Sequence, residues 1–100
     1  MTLANNGVIC DYSGKLMDIE DELGYTGLNI AYADLVTSGI HYIEAYKVLA
    51  LVAYRLKTVA DETGYTPDLL FEAFMEGFSD GEPVGEALQF TIDVAYEQDF

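Results

Sequence analysis

Carboxylates dominate the chemistry open to this chain, which carries 18 Asp and Glu against 4 Lys and Arg, with one His and one Cys. Two carboxylates do acid–base work when a cleft holds them together and drives their pKa values apart. Nothing in their spacing singles out such a pair. His41 and Glu44 stand at i, i+3, a geometry that two metal ligands on one helix can share. They make a thin site, supported by neither an HExxH pattern nor a Cys/His cluster. A surface or capping role in the first turn of a helix is the better expectation for His41. Cys10 lies in an apolar stretch and reads as a small core residue rather than a nucleophile. A lone cysteine leaves no intramolecular disulfide, which suits a reducing, cytoplasmic setting. GxxxxGK[ST], GxGxxG and GxSxG patterns do not occur, so phosphate cradles and nucleophile elbows have no support. The expectation is a protein without catalytic residues, metal or cofactor.

Two carboxylate arrays remain. Asp11, Asp18 and Glu22 share one face of a first helix, with Asp21 nearby. Glu82, Glu86, Asp93 and Glu97 fall at i, i+4, i+11 and i+15, which predicts a single acidic stripe along a last helix. Like charges one turn apart cost a few tenths of a kcal/mol each, so the stripe is either selected or merely tolerated. On a rigid helical body such carboxylates can imitate a nucleic-acid backbone, with one charge per ~1.7 Å of duplex axis. An ordinary solvated face is the plainer reading.

The elements that hold these arrays follow from an internal repeat. KLMDIEDELGYT, Lys15 to Thr26, aligns with RLKTVADETGYT, Arg55 to Thr66. Gly24 and Gly64 suit the left-handed residue that ends a helix. Tyr25 and Tyr65 can fold back on that helix, and Thr26 and Thr66 suit the N-cap of the next. Pro67 and Asp68 strengthen the second case. Apolar residues at Val8, Tyr12, Leu16, Ile19 and Leu23 form one helical stripe, repeated by Val48, Val52, Leu56 and Val59. Helices are predicted at about 7–23, 27–37, 39–63, 67–78 and 83–98, with a break near Asp11–Ser13 allowed by Gly14. Ser79–Pro83 reads as a loop with a Ser-x-x-Glu capping pattern. The fold class is therefore all-α, a small five-helix bundle of two helix–GYT turn–helix repeats. Residues 1–100 form one domain, with repeat units at about 8–39 and 48–79 and a C-terminal helix.

The segment LKTVADETGYTPDLLFEAF resembles a DNA-binding helix-turn-helix. Ala60 stands at the small-residue position, Gly64 at the turn and Leu70 at the apolar position of the second helix. That second helix carries Asp68, Glu72 and Glu76 and no Lys, Arg, Asn or Gln, so it lacks the groups that read bases. A net charge of −14 further opposes direct nucleic-acid or anionic-membrane binding. The longest apolar run, Val48 to Tyr54, falls far short of the ~20 residues of a membrane span. The N-terminus lacks the basic and apolar regions of a signal peptide. Among the eight tyrosines, Tyr42, Tyr46 and Tyr54 recur along the third helix, where core packing accounts for most and an interface for some. Two functions fit. One is a non-enzymatic binder whose acidic surface engages, and inhibits, a basic partner such as a nucleic-acid-binding enzyme; small acidic phage-encoded inhibitors of host defence are similar in size and charge. The other is an assembly module that self-associates, as a homodimer for instance, with its charge serving solubility.

Overall fold

The computed structural model describes the backbone from Leu3 and side chains from Asp11. The expectations for Val8 and Cys10 concern side chains outside the described residues. Among these residues the fold is all-α: α1 (Leu3–Leu23), α2 (Leu28–Thr37), α3 (Tyr42–Thr63), α4 (Pro67–Ser79) and α5 (Val84–Tyr96). The chain divides into two compact units, Met1–Leu51 and Val52–Phe100, with the division inside α3.

In the first unit, Leu16, Ile19 and Leu23 of α1 and Leu28, Ala31, Tyr32 and Leu35 of α2 are buried, as are Ala45 and Leu49 of α3. The spacing of the α1 residues is the helical stripe read from the sequence. No break interrupts α1 near Asp11–Ser13. Ser13 instead uses its hydroxyl to donate to Asn29 of α2. In the second unit, Val52, Leu56 and Val59 of α3, Leu70, Phe71 and Phe74 of α4, and Ala87, Ile92 and Ala95 of α5 are buried. Burial of each large side chain contributes about 1.5–3 kcal/mol. Thr91, also buried, satisfies its hydroxyl by donating to the Ala87 carbonyl at 2.9 Å.

Both GYT turns place glycine in the left-handed region, with φ 86° at Gly24 and 88° at Gly64. Beyond the glycine they differ. Tyr25 N–H reaches back to the Glu20 carbonyl at 3.0 Å, and Tyr25 is buried. Gly64 N–H donates to the Ala60 carbonyl at 2.9 Å, just as Gly24 N–H does to the Glu20 carbonyl, but Tyr65 is only half-buried. Thr66 caps α4, accepting from Leu69 N–H at 3.3 Å, as expected. Thr26 does not cap α2; the N-cap is Gly27, which offers no side chain. The carboxylate of Glu20 takes over, accepting from Leu28 N–H at 2.8 Å and Asn29 N–H at 3.3 Å. Its other oxygen accepts from the Asn29 amide at 3.1 Å. The aligned residue in the second copy is Ala60, which has nothing to offer, so there the cap must be local. Helix pairing differs as well: backbones run closest between α1 and α2 and between α4 and α5. The sequence repeat thus extends to the glycine geometry, not to capping or pairing.

Two further expectations need correction. The third helix starts at Tyr42 rather than near 39, because Gly39 (φ 105°) closes α2 while Ile40 N–H bonds the Leu35 carbonyl at 3.0 Å. Ser79 does not begin a capping box. It is the last residue of α4, and the N-cap of α5 is Pro83, without a side-chain hydrogen bond.

Replacing Glu20 with alanine should cost about 0.5–2 kcal/mol in urea unfolding, the range for a lost N-cap. Hydrogen exchange should speed up at the Leu28 and Asn29 amides first. At Gly64 an added Cβ meets no atom within 4 Å, so only backbone strain opposes it. Gly64→Ala should therefore cost about 1 kcal/mol. An unchanged midpoint would contradict the assignment of the turn.

Candidate functional site

Helical phase decides which carboxylates act together. Because α1 is continuous, Asp11, Asp18 and Glu22 do share one face, and all three are exposed, with Asp21 exposed beside them. Lys15 lies on this helix with its ammonium 5.0 Å from the centre of the Tyr12 ring, a cation–π distance. The α5 array is shorter than its spacing suggested. Glu86 and Asp93 lie within α5, Glu97 is its C-cap, and Glu82 precedes the helix, before Pro83. A turn centred on Gly81 takes Glu82 out of helical phase; Gly81 N–H bonds the Phe78 carbonyl and Glu82 N–H the Gly77 carbonyl. All four carboxylates are exposed. Asp93 accepts from the Gln89 amide at 2.9 Å.

A residue overlooked in the sequence sits inside this stripe. Phe90 follows Glu86 by four positions and precedes Asp93 by three, so it projects from the acidic face, and it is 65% exposed. The signal was present: an aromatic at a polar position of the helical wheel. Phe90 also borders a hollow of about 240 Å³ in the second unit, with Ala73, Glu76, Gly77, Asp80 and Ala87 around it and Glu82 at its rim. A neighbouring hollow of about 220 Å³ shares Ala73 and Glu76 and adds Leu69, Glu72 and Phe100. The outward side of α4 therefore presents alanine and leucine between carboxylates, facing aromatic side chains.

The C-terminal segment that carries Phe100 is tied to the second GYT turn. The Gln98 amide donates to the Thr63 carbonyl at 3.4 Å, and Phe100 N–H donates to the Tyr65 hydroxyl at 3.4 Å. The Tyr65 and Phe100 rings meet edge to face at 5.3 Å. Tyr96 donates its phenol proton to Glu62, joining the last turns of α5 and α3. That hydrogen bond, followed by desolvation and the Glu62 charge, holds the Tyr96 pKa above its ordinary 10.0, against a lowering by Arg55.

In the first unit, aromatic rings gather at a point the sequence only half indicated. Tyr12 lies 4.8 Å from Tyr46 and 5.6 Å from Tyr42, which stacks on His41 at 4.5 Å. His41 accepts from Ile43 N–H through Nδ1 at 3.2 Å, the N-capping use expected of it. Tyr54 stands exposed on α3, in the second unit. Among the described residues no group of three or more His, Cys, Asp or Glu could hold a metal ion. No helix of the described residues is long and apolar enough to cross a membrane.

Opposite charge is scarce at these surfaces. Lys57 pairs with Asp61 at 2.9 Å, an exposed i, i+4 contact worth a few tenths of a kcal/mol. Four basic residues cannot neutralise 18 acids one to one, and none follows Lys57. Self-repulsion should therefore limit stability, and sodium chloride should raise the melting temperature by screening it. A melting temperature that falls with moderate salt would mean that the acids are well paired. The Tyr96 bond gives a second test. A raised pKa in the folded state contributes stability that is complete below the unfolded value and lost as pH rises through the folded one. The melting temperature of Tyr96→Phe should lie below wild type at neutral pH, and the gap should close on the alkaline side of the ordinary phenol value.

No protein-family model, curated protein or solved structure matches the chain.

Proposed function

We propose that this is a non-enzymatic binding protein whose acidic helical surface engages a basic surface of a protein partner, with a nucleic-acid-binding enzyme as the natural class. The observation that carries the reading is the one-signed stretch of chain after Lys57. Exposed Glu86, Asp93 and Glu97 stand along α5 and its cap, and no basic residue follows Lys57. Such a field accelerates encounter with a positive groove, repels nucleic acid and makes binding fall with ionic strength. The α1 face of Asp11, Asp18 and Glu22 offers a second surface that is net negative, with Lys15 among its acids. Occupation of a groove built for phosphates would inhibit the partner, the mode of an acidic mimic.

A self-associating assembly module is the second reading, favoured by large apolar side chains left exposed at Ile30, Leu51 and Phe90. The two readings separate in one experiment. The protein is used to capture partners from lysate of its source cells at low and high salt. Under the acidic-surface reading, capture fails at high salt. The triple reversal Glu86→Lys, Asp93→Lys and Glu97→Lys removes it at physiological salt while helical circular dichroism is unchanged. Binding by the triple variant at wild-type strength would remove α5 from the mechanism and turn attention to the α1 face. The assembly reading instead predicts concentration-dependent sedimentation that the reversal does not weaken.

A further inference from the structure

Affinity for a protein surface rarely comes from rim charges alone; an apolar anchor inside a polar rim supplies most of it. The α4–α5 side of the second unit has this composition. Phe90 is 65% exposed, Phe100 44% and Leu69 39%, and Ala73 lies between them in the two adjoining hollows. Around this apolar strip stand Glu72, Glu76, Asp80 and Glu82, with Glu86 and Asp93 flanking Phe90 along α5. Gly77 of α4 lies beneath the Glu82 side chain. A Cβ there would come within 2.7 Å of a Glu82 carboxylate oxygen and 3.5 Å of the Ala87 Cβ, so its absence lets the Glu82 side chain lie close over α4.

Resting on the acidic-surface reading above, we propose that this strip is the docking groove for a cationic amphipathic helix of the partner. The apolar face of that helix would lie on Ala73, Phe90 and Leu69, and its Lys or Arg side chains would reach the carboxylates on both sides. Charge complementarity selects this occupant. A helix lays apolar residues at i, i+3, i+4 and i+7 into a groove and carries its charges on the flanks. A second copy of this chain would bring carboxylates against carboxylates, since nothing beyond Lys57 is basic. An uncharged apolar helix would leave the rim carboxylates desolvated and unpaired, at a cost.

The probe is a fluorescein-labelled synthetic peptide of leucine and lysine, about 18 residues or five helical turns long, arranged with one apolar face. Its control has the same composition scrambled so that no apolar face exists. Anisotropy should show the amphipathic peptide binding wild type and becoming helical by circular dichroism. The scrambled peptide should bind about tenfold or more weakly, and Phe90→Ser and Ala73→Arg should each weaken the amphipathic peptide by a similar factor. Equal binding of both peptides, unaffected by Phe90→Ser, would overturn the groove while leaving the acidic surface intact. Failure of both peptides to bind even at low salt would sink the acidic-surface reading, and the groove with it. Self-association that Phe90→Ser abolishes would assign the strip to a second copy and overturn the proposal. Phe90 is largely solvent-exposed, so its variant keeps the test valid if Ala73→Arg disturbs folding.

Discussion

A shortage of positive charge is the constraint from which much of this structure follows. With 18 carboxylates and 4 basic side chains, most acids have no cation to pair with one to one. Helix ends show the consequence. None of the five helices has a basic residue in its last turn, so none can neutralise its C-terminal dipole with a cation. The carbonyls are closed by the backbone instead. At α1, α2, α4 and α5 a left-handed residue turns the chain so that the next N–H reaches back five positions: Tyr25 to Glu20, Ile40 to Leu35, Glu82 to Gly77 and Asp99 to Val94. Glycine supplies that residue three times. At α5 it is Gln98 with φ 60°, where the side-chain bond to Thr63 helps to offset the strain of a non-glycine residue.

The same surplus of acid serves the N-terminal ends. Glu44, Asp68 and Glu86 lie in first turns, where the helix dipole favours negative charge. Glu20 shows the two uses combined. It sits in the last turn of α1, where its charge is unfavourable to that helix, yet its carboxylate lies at the start of α2 and satisfies two orphan N–H groups there. One side chain therefore ties the end of α1 to the start of α2, with Asn29 and Ser13 extending the contact.

Carboxylates left over from capping must stay hydrated, which drives them to the outward faces of α1, α4 and α5. This makes the exposed aromatic on the acidic face of α5 informative. Phe90 could have been a polar residue at no cost to the core, since Ala87, Ile92 and Ala95 already supply the buried side of that helix. Its ring is 65% exposed among carboxylates, so most of its apolar surface is uncovered in the isolated chain. The proposed binding function and the groove rest on that asymmetry between what folding needs and what the surface carries.

Local chemistry made much of the fold legible. Helix class, the left-handed glycines at 24 and 64, the Thr66 cap and the face shared by Asp11, Asp18 and Glu22 follow from period, turn residues and charge within a few positions along the chain. What tertiary structure decided lies beyond that range. Thr26 and Thr66 stand in the same GYT block, yet only Thr66 caps a helix, because Glu20 folds across the first turn and Ala60 cannot do so at the second. The i, i+4 spacing of Glu82 and Glu86 looked like one stripe, but the turn at Gly81 and the start of α5 after Pro83 broke its phase. Phe90 and Phe100 are far from Ala73 in sequence and border the hollows beside it only because α4 and α5 pack and the C-terminal segment is held on Tyr65. Periodicity describes one helix at a time. Which helix lies beside which, and what the space between them exposes, depends on contacts that no single segment encodes.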